Sequence, residues 1–271
     1  MVDDVSDIAA FYNDDYEREH QRLIRHQLEY DLTWRYLDQY LPSQGTILEV
    51  GAASGRYTLE LVKRGYHLTA VDLSGVLIEE CRKRLEDAGL AQQVRFVVAD
   101  ARDLSEVSRV DFDAVLLMGP LYHLVEETDR NLALWEAYNR LRKDGLIFSA
   151  FISRYGIMGD LLKNVTDWIE DQAEVRSLLR SGKRPDDYPR GGFRGYFARV
   201  SEIAPLHEAI GFETLVVAGI EPAISADDES YNILDGDQRH LWLNLLFELS
   251  TEQSIIGASR HILYIGKKKG A

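Results

Sequence analysis

From residue 46 to residue 152 the chain repeats one pattern: a short apolar run, a small or acidic stop, then apolar positions at helical spacing. The runs cover residues 47–50, 67–71, 94–99, 112–118 and 146–152. Each is short and nearly continuous, which predicts strands buried on both faces. Between them lie a helix reaching Lys63 and closed by Gly65, and one from Ser74 to about Ala88 stopped by Gly89. A helix carrying Leu132, Trp135, Tyr138 and Leu141 follows, with Gly145 as its cap. Gly after a helix and Ser before one are the residues that satisfy orphaned backbone groups at those ends. Five runs alternating with four helices predict a doubly wound, mostly parallel α/β sheet.

The flanks break this rhythm. Ile24, Leu28, Leu32, Trp34, Leu37 and Leu41 predict a helix that stops at Pro42. The first 41 residues also hold Phe11, Tyr12, Tyr16, Tyr30, Tyr36 and Tyr40, more aromatics than a plain surface helix needs. Residues 1–44 read as a helical flap over a pocket, with Tyr12 or Tyr16 reaching in. Residues 154–200 carry Met158, Leu161, Leu162, Val165, Trp168 and Ile169 at helical spacing, then a stretch dense in Gly, Pro, Arg and Asp. Long loops in compact domains tend to be functional, so this insertion reads as a lid, with Arg190, Arg194, Arg199, Tyr188 and Tyr196 as its reach. A helix over 201–210 and a strand over 213–220 come next. A second insertion, 221–257, carries Leu241, Leu245 and Leu249 on one helical face. A last strand ends in a basic tail, Lys267 to Lys269.

Composition narrows the function classes. The 271 residues are 45% hydrophobic, enough for a large core, with a net charge of −14 and a pI near 5.0. That charge argues against a broad nucleic-acid or anionic-membrane surface. Cys81, the lone cysteine, excludes an intrachain disulfide, fits a reducing compartment, and sits with Leu77 and Leu85 on a buried helix face. No run reaches the ~18 apolar residues of a membrane span, and nothing early resembles a signal peptide. A cytoplasmic chain is expected.

The chemistry concentrates at the ends of the predicted strands. The first run ends in the small-residue turn Gly51-Ala52-Ala53-Ser54-Gly55, and the second ends in Asp72-Leu73. Small residues at 51, 53 and 55 would let backbone approach a ligand. An acid about 20 residues on suits the two hydroxyls of a ribose. Glu49, two residues before the turn, would repel a pyrophosphate and attract an amine or sulfonium. The third strand ends in Asp100-Ala101, where an acid could take the amine of an adenine. The fourth runs into Met118-Gly119-Pro120-Leu121-Tyr122-His123. A neutral His123 there could accept a proton.

The pattern E-x-G-x-x-x-G, with an acid closing the next strand, resembles the cofactor motif of class I S-adenosylmethionine (SAM)-dependent methyltransferases of the bacterial small-molecule type. The resemblance covers about 45–152 by motif and 201–266 by order of elements. Such families more often carry Gly where this chain has Ala53. The stretch FDAVLLMGPLYHL resembles their fourth-strand region and lacks the (N/D)PP(Y/F) signature of enzymes that methylate base amino groups or glutamine. The resemblance implies a seven-stranded Rossmann-like sheet with an antiparallel last strand. It further implies SAM as cofactor and in-line transfer of methyl to O, N or S of a small-molecule acceptor. On this reading Glu49, Gly51, Ala53, Gly55, Asp72, Leu73, Asp100, Ala101, Met118, Gly119 and Tyr12 hold the cofactor. His123 is the candidate base, with Tyr16 and Tyr122 beside it. No metal ligand set is expected from spacing, nor a nucleic-acid or membrane partner. The alternatives are an NAD-linked Rossmann oxidoreductase, disfavoured by Glu49 and Ala53, and a SAM-binding protein without catalysis.

Overall fold

The computed structural model describes residues 3–14, 25–184, 194–225 and 227–270. Helices α1 (Ser6–Asp14) and α2 (Gln27–Tyr40) come first. The chain then alternates β1 (Thr46–Val50), α3 (Arg56–Lys63), β2 (His67–Asp72), α4 (Gly75–Asp87), β3 (Val94–Val98) and β4 (Phe112–Leu117). The short α5 (Pro120–His123) and α6 (Glu127–Arg140) lead into β5 (Leu141–Ser153). Next are α7 (Ile157–Asn164), α8 (Gln172–Ser181), β6 (Lys183–Arg184), β7 (Gly195–Ala198), α9 (Val200–Ile210) and β8 (Phe212–Gly219). Helices α10 (Asp228–Asn232), α11 (Gly236–Leu249) and α12 (Gln253–Ile256) precede β9 (His261–Lys268).

The sheet runs β3-β2-β1-β4-β5 in parallel. β9 inserts antiparallel beside β5, and β8 lies antiparallel on its far side. These are the seven expected strands, with the last one reversed. Alternation assigns each side chain to a face. Leu48 and Val50 of β1, Val115 and Leu117 of β4, and Ile147 and Phe151 of β5 share one core with Ala133, Leu134 and Ile203. Ile47, Ala114, Leu116, Phe148 and Leu263 point the other way, against Leu32, Leu37, Leu61 and Leu85. With core on both faces, the strands had to read as continuous apolar runs.

Several elements differ from the sequence expectation. β3 passes to β4 through turns with no helix over 99–111, so one of the four expected crossover helices is missing. A thirteen-residue loop can close that gap because Asp100 and Asp103 fold it with their own side chains, accepting from Arg102 N–H and Ser105 N–H. Gly145 is no helix cap: α6 ends at Arg140 and β5 begins at once. A Cβ at 145 would lie 2.9 Å from Leu141 Cδ2. Lys267 and Lys268 belong to β9 rather than to a frayed tail. Lys267 pairs with Asp144 at 3.0 Å, and Lys268 Nζ donates to the carbonyls of Tyr138 and Leu141. The first insertion has its own small core of Ile157, Leu161, Trp168, Val175, Leu178 and Phe197. It joins the sheet through β7, parallel to the end of β5, and β6 pairs with β7.

Gly55 shows what close packing requires. Its backbone is left-handed (φ 80°), and a Cβ there would lie 2.5 Å from Cys81 Sγ on α4. Gly55→Ala should lower stability by about 1–3 kcal/mol through dihedral strain and overpacking. Urea denaturation should also find a smaller loss in a Cys81→Ala background; an equal loss would show that the steric contact contributes nothing.

Candidate active site

Parallel strands end together, so the residues just past β1, β2, β3 and β4 meet along one edge of the sheet. They enclose a cleft of about 940 Å³, counting space continuous with solvent. Gly51 and Ala53 (after β1), Asp72 and Leu73 (β2), Asp100 and Ala101 (β3), and Met118 and Gly119 (β4) all line it, with Tyr12, Tyr122 and His123. Tyr16 lies outside the described residues, as do Ile24, Tyr188 and Arg190.

The turn is held by Asp72. Its Oδ2 accepts from Ala53 N–H and its Oδ1 from Ser74 N–H, both at 2.9 Å. One carboxylate thereby ties the β1 turn to the end of β2. Ser74 in turn caps α4, accepting from Leu77 N–H at 3.1 Å. Ala53 itself is left-handed (φ 47°), which is why a glycine suits that position. Gly51 serves the protein as much as any ligand, since a Cβ there would lie 2.9 Å from Pro120 Cδ.

Asp100 faces the cleft, but both its oxygens accept from Arg102, at 2.6–3.1 Å. Arg102 is itself buried and reaches Asp129 at 2.7 Å. The same guanidinium donates to the Asp3 carbonyl at 2.7 Å, so the β3 end and the start of the chain are locked together.

At the β4 end, His123 is 6% exposed. Its Nε2 shares a 2.8 Å hydrogen bond with the Tyr12 hydroxyl. The Tyr122 ring lies 4.7 Å from the imidazole. Tyr12 arrives on α1, which lays Ile8 and Ala9 over the cleft, with Val5 just before the helix beside them. Three partner residues fix α1 and the residues before it there. Ser74 Oγ donates to Asn13 Oδ1 at 2.6 Å. Asp3 N–H donates to Asp129 at 3.1 Å. Arg194 pairs with Asp3 at 2.9 Å and with Asp7 at 3.1 Å. Arg194 therefore anchors α1 and does not reach into the cleft. Tyr196 is likewise engaged, beneath Arg130 at 3.6 Å and bonded to Glu202.

Two sequence-chosen residues stand apart. Gly55 packs on Cys81, as above. Glu49 does not reach the cleft: strand alternation turns it to the α3 face, where it is 1% exposed and accepts from Thr58 Oγ1 at 2.7 Å. Burial, reinforced by the nearby Asp72 charge, pushes its carboxyl up to about 8 despite the Thr58 hydrogen bond. The missed lining residues include Ser74, Leu77, Pro120 and Arg56. Only Arg56 carried a signal, as a cation directly after the turn.

Spacing predicts no metal cluster, yet the fold assembles two groups of suitable residues around Glu221. These are His26, Glu221 and Asp228, and Glu29, Glu221 and His261. The Arg260 guanidinium already sits among them, bonded to Glu221 and 2.7 Å from His26 Nδ1. Although burial alone would raise the Glu221 carboxyl, His261 and Arg260 hold it down to about 2. The Arg260 positive charge supplies what a metal ion would. No helix among the described residues is long and apolar enough to cross a membrane.

Comparison with known proteins matches residues 47–145 to a family model described as a methyltransferase domain. The tRNA 5-carboxymethoxyuridine methyltransferase of Escherichia coli (strain K12) is 24% identical over 169 residues. That match covers 60% of this chain and spans 62% of the relative's length. A SAM-dependent methyltransferase from Methanosarcina mazei superposes with a TM-score of 0.60 at 17% identity, covering 87% of this chain and 98% of that one. The 1,6-didemethyltoxoflavin-N1-methyltransferase of Burkholderia thailandensis, solved with S-adenosylhomocysteine, gives a TM-score of 0.60 at 14% identity. It covers 98% of this chain and 88% of its own. At these identities the structural likeness establishes the fold.

Glu49 makes stability depend on pH. Its carboxyl titrates near 8 when folded and near the ordinary 4.5 when unfolded. The folded chain therefore holds a proton that the unfolded chain has lost, and stability falls as pH rises from about 4.5 to about 8. Glu49→Gln removes this penalty. Denaturant melts at pH 5 and pH 8.5 should show the variant's relative stability growing by a few kcal/mol at the higher pH; a pH-independent difference would contradict the shift.

Proposed function

We propose that residues 47–145, which match a family model described as a methyltransferase domain, form a SAM-dependent methyltransferase of the class I kind, and that the chain transfers a methyl group to an O, N or S atom of a small-molecule acceptor. The observation that carries this reading is the covered cleft. Four strand ends supply its wall, and α1, tied down by Ser74, Asp129 and Arg194, covers it. The net charge of −14 further disfavours a polyanionic acceptor.

The residues present suit SAM. Asp72, aimed by two backbone N–H groups, can accept from ribose hydroxyls. Leu73, Leu77, Ala99 and Ala101 give an apolar slot for a flat heterocycle, with Asp100 at its rim. Met118 and Gly119 close the β4 side, and Gly51 and Ala53 give a wall without bulk. SAM, when bound, supplies a sulfonium-activated methyl group, so the protein's part is to position and to exclude water. Glu49 acts from behind this wall, holding Thr58 and so the start of α3.

His123 and Tyr12 are the polar pair at the acceptor side. In the tautomer with Nε2 unprotonated, the imidazole accepts the Tyr12 hydroxyl proton. An acceptor X–H can take the place of that hydroxyl and give its proton to Nε2 as X gains the methyl group. Tyr122, tilted 56° to the ring at 4.7 Å, packs beside it and limits its rotation. The first insertion acts on this site as a lid indirectly, by fastening α1 through Arg194.

S-adenosylhomocysteine release should be screened over hydroxyl, amine and thiol acceptors, with unmodified tRNA as the macromolecular arm. Turnover of a small acceptor supports the reading, and turnover of tRNA alone would overturn its acceptor class. On a true acceptor, His123→Ala should lower kcat about 100-fold or more with SAM affinity unchanged. Loss of less than about threefold would remove the base, because general-base contributions run from about 10² upward.

A further inference from the structure

The acceptor end of the cleft already holds a phenol. The Tyr12 hydroxyl lies 2.8 Å from His123 Nε2. Its ring meets the imidazole edge-on, at 86° with centroids 5.4 Å apart. Tyr122 packs on the imidazole at 4.7 Å, and Phe11 stands edge-on to Tyr12 at 5.2 Å. The nitrogen that has to accept a proton is therefore engaged by a flat, hydroxylated ring. His123 is buried, whereas Tyr12 is half-buried, so the base is fixed and the ring over it has an open side.

The surroundings limit what can take that ring's place. Among the described residues that line the cleft, those on α1 and in the 118–124 turn include no carboxylate, Lys or Arg. The acids Asp72 and Asp100 belong to the β2 and β3 tips and already accept from Ala53, Ser74 and Arg102. An alkylammonium acceptor would bring an unpaired charge among apolar groups, which is costly. A thiol is a weak donor and would exchange a good hydrogen bond for a poor one. An aryl hydroxyl repeats the contact that Tyr12 makes.

We propose that the acceptor is a hydroxylated aromatic ring methylated on oxygen, and that Tyr12 is its internal surrogate, a gate that occupies His123 Nε2 until the acceptor displaces it. This rests on the methyltransferase reading and on His123 as the base. In the transfer the aryl O–H bond breaks as the O–CH3 bond forms. The proton passes to Nε2, and the sulfur keeps the electron pair of its broken methyl bond. The imidazolium then loses that proton to water as the product leaves.

Calorimetric titration of p-cresol, the tyrosine side chain itself, into the S-adenosylhomocysteine-saturated protein tests the gate. Tyr12→Phe keeps the ring and removes its hydrogen bond to the base. It should therefore bind p-cresol about 2- to 10-fold more tightly than wild type, the net worth of one hydrogen bond. In a His123→Ala background the same substitution should change nothing. S-adenosylhomocysteine release from p-cresol, benzyl alcohol, benzylamine and benzyl thiol tests the class. Wild type should favour p-cresol in kcat/KM by about 10-fold or more, as one hydrogen bond can supply. Tyr12→Phe should lower KM by a common factor for every acceptor turned over, because the displaced bond is the same whichever enters. Preference for the alcohol, amine or thiol overturns the acceptor class, as does binding of S-adenosylhomocysteine with turnover of none of the four. Unchanged or weaker p-cresol binding by Tyr12→Phe overturns the gate. Equal tightening in the His123→Ala background also overturns it, since it marks a packing effect. Wild type that neither binds S-adenosylhomocysteine nor turns over any acceptor contradicts the methyltransferase reading instead, and p-cresol titrated into ligand-free wild type and Tyr12→Phe then decides the gate.

Discussion

The Asp72 carboxylate is the constraint on which the site depends. Its two oxygens accept from Ala53 N–H and Ser74 N–H, so one side chain fixes a left-handed turn after β1 and the start of α4 after β2. Remove it, and Ala53 has no compensation for an unfavourable backbone, Ser74 loses its place as cap, and the Asn13 contact of α1 goes with it. The acid therefore shapes the wall of the cleft as well as facing it. A residue chosen as a ligand contact proves to be a structural clasp too.

The same edge of the sheet gathers three polar groups without long-range design. Parallel β1 to β4 deliver an acid, an acid and a histidine to their shared C-terminal ends. The start of the chain returns over that edge and is held by charges from β3, α6 and the first insertion, through Arg102, Asp129 and Arg194. Desolvation under α1 strengthens the polar pair Tyr12–His123 by lowering the local dielectric.

Much of this was legible in the sequence, and the failures have physical causes. Apolar runs ended by Gly51, Asp72, Asp100 and Gly119 located the cleft, because short buried strands and their stops are local signals. Glu49 was placed in the wrong compartment because a motif gives spacing but not face. Counting by two from Ile47, which points to the α2 and α3 side, would have put Glu49 there as well. Arg194 looked like a reach into the pocket, but its partners Asp3 and Asp7 lie nearly two hundred residues away in sequence. The buried Glu221–Arg260–His261 group was invisible for the same reason.

The central claim is that the cleft bounded by Asp72, Asp100 and Met118 binds the SAM core. Titration of S-adenosylhomocysteine into the wild-type chain and into Asp72→Asn tests it most directly. One site per chain should appear with an affinity between about 1 μM and 1 mM, the ordinary range for enzyme substrates, and the variant should lose it while remaining folded by circular dichroism. Wild type with no saturable binding, or a folded variant that binds equally well, would contradict the account.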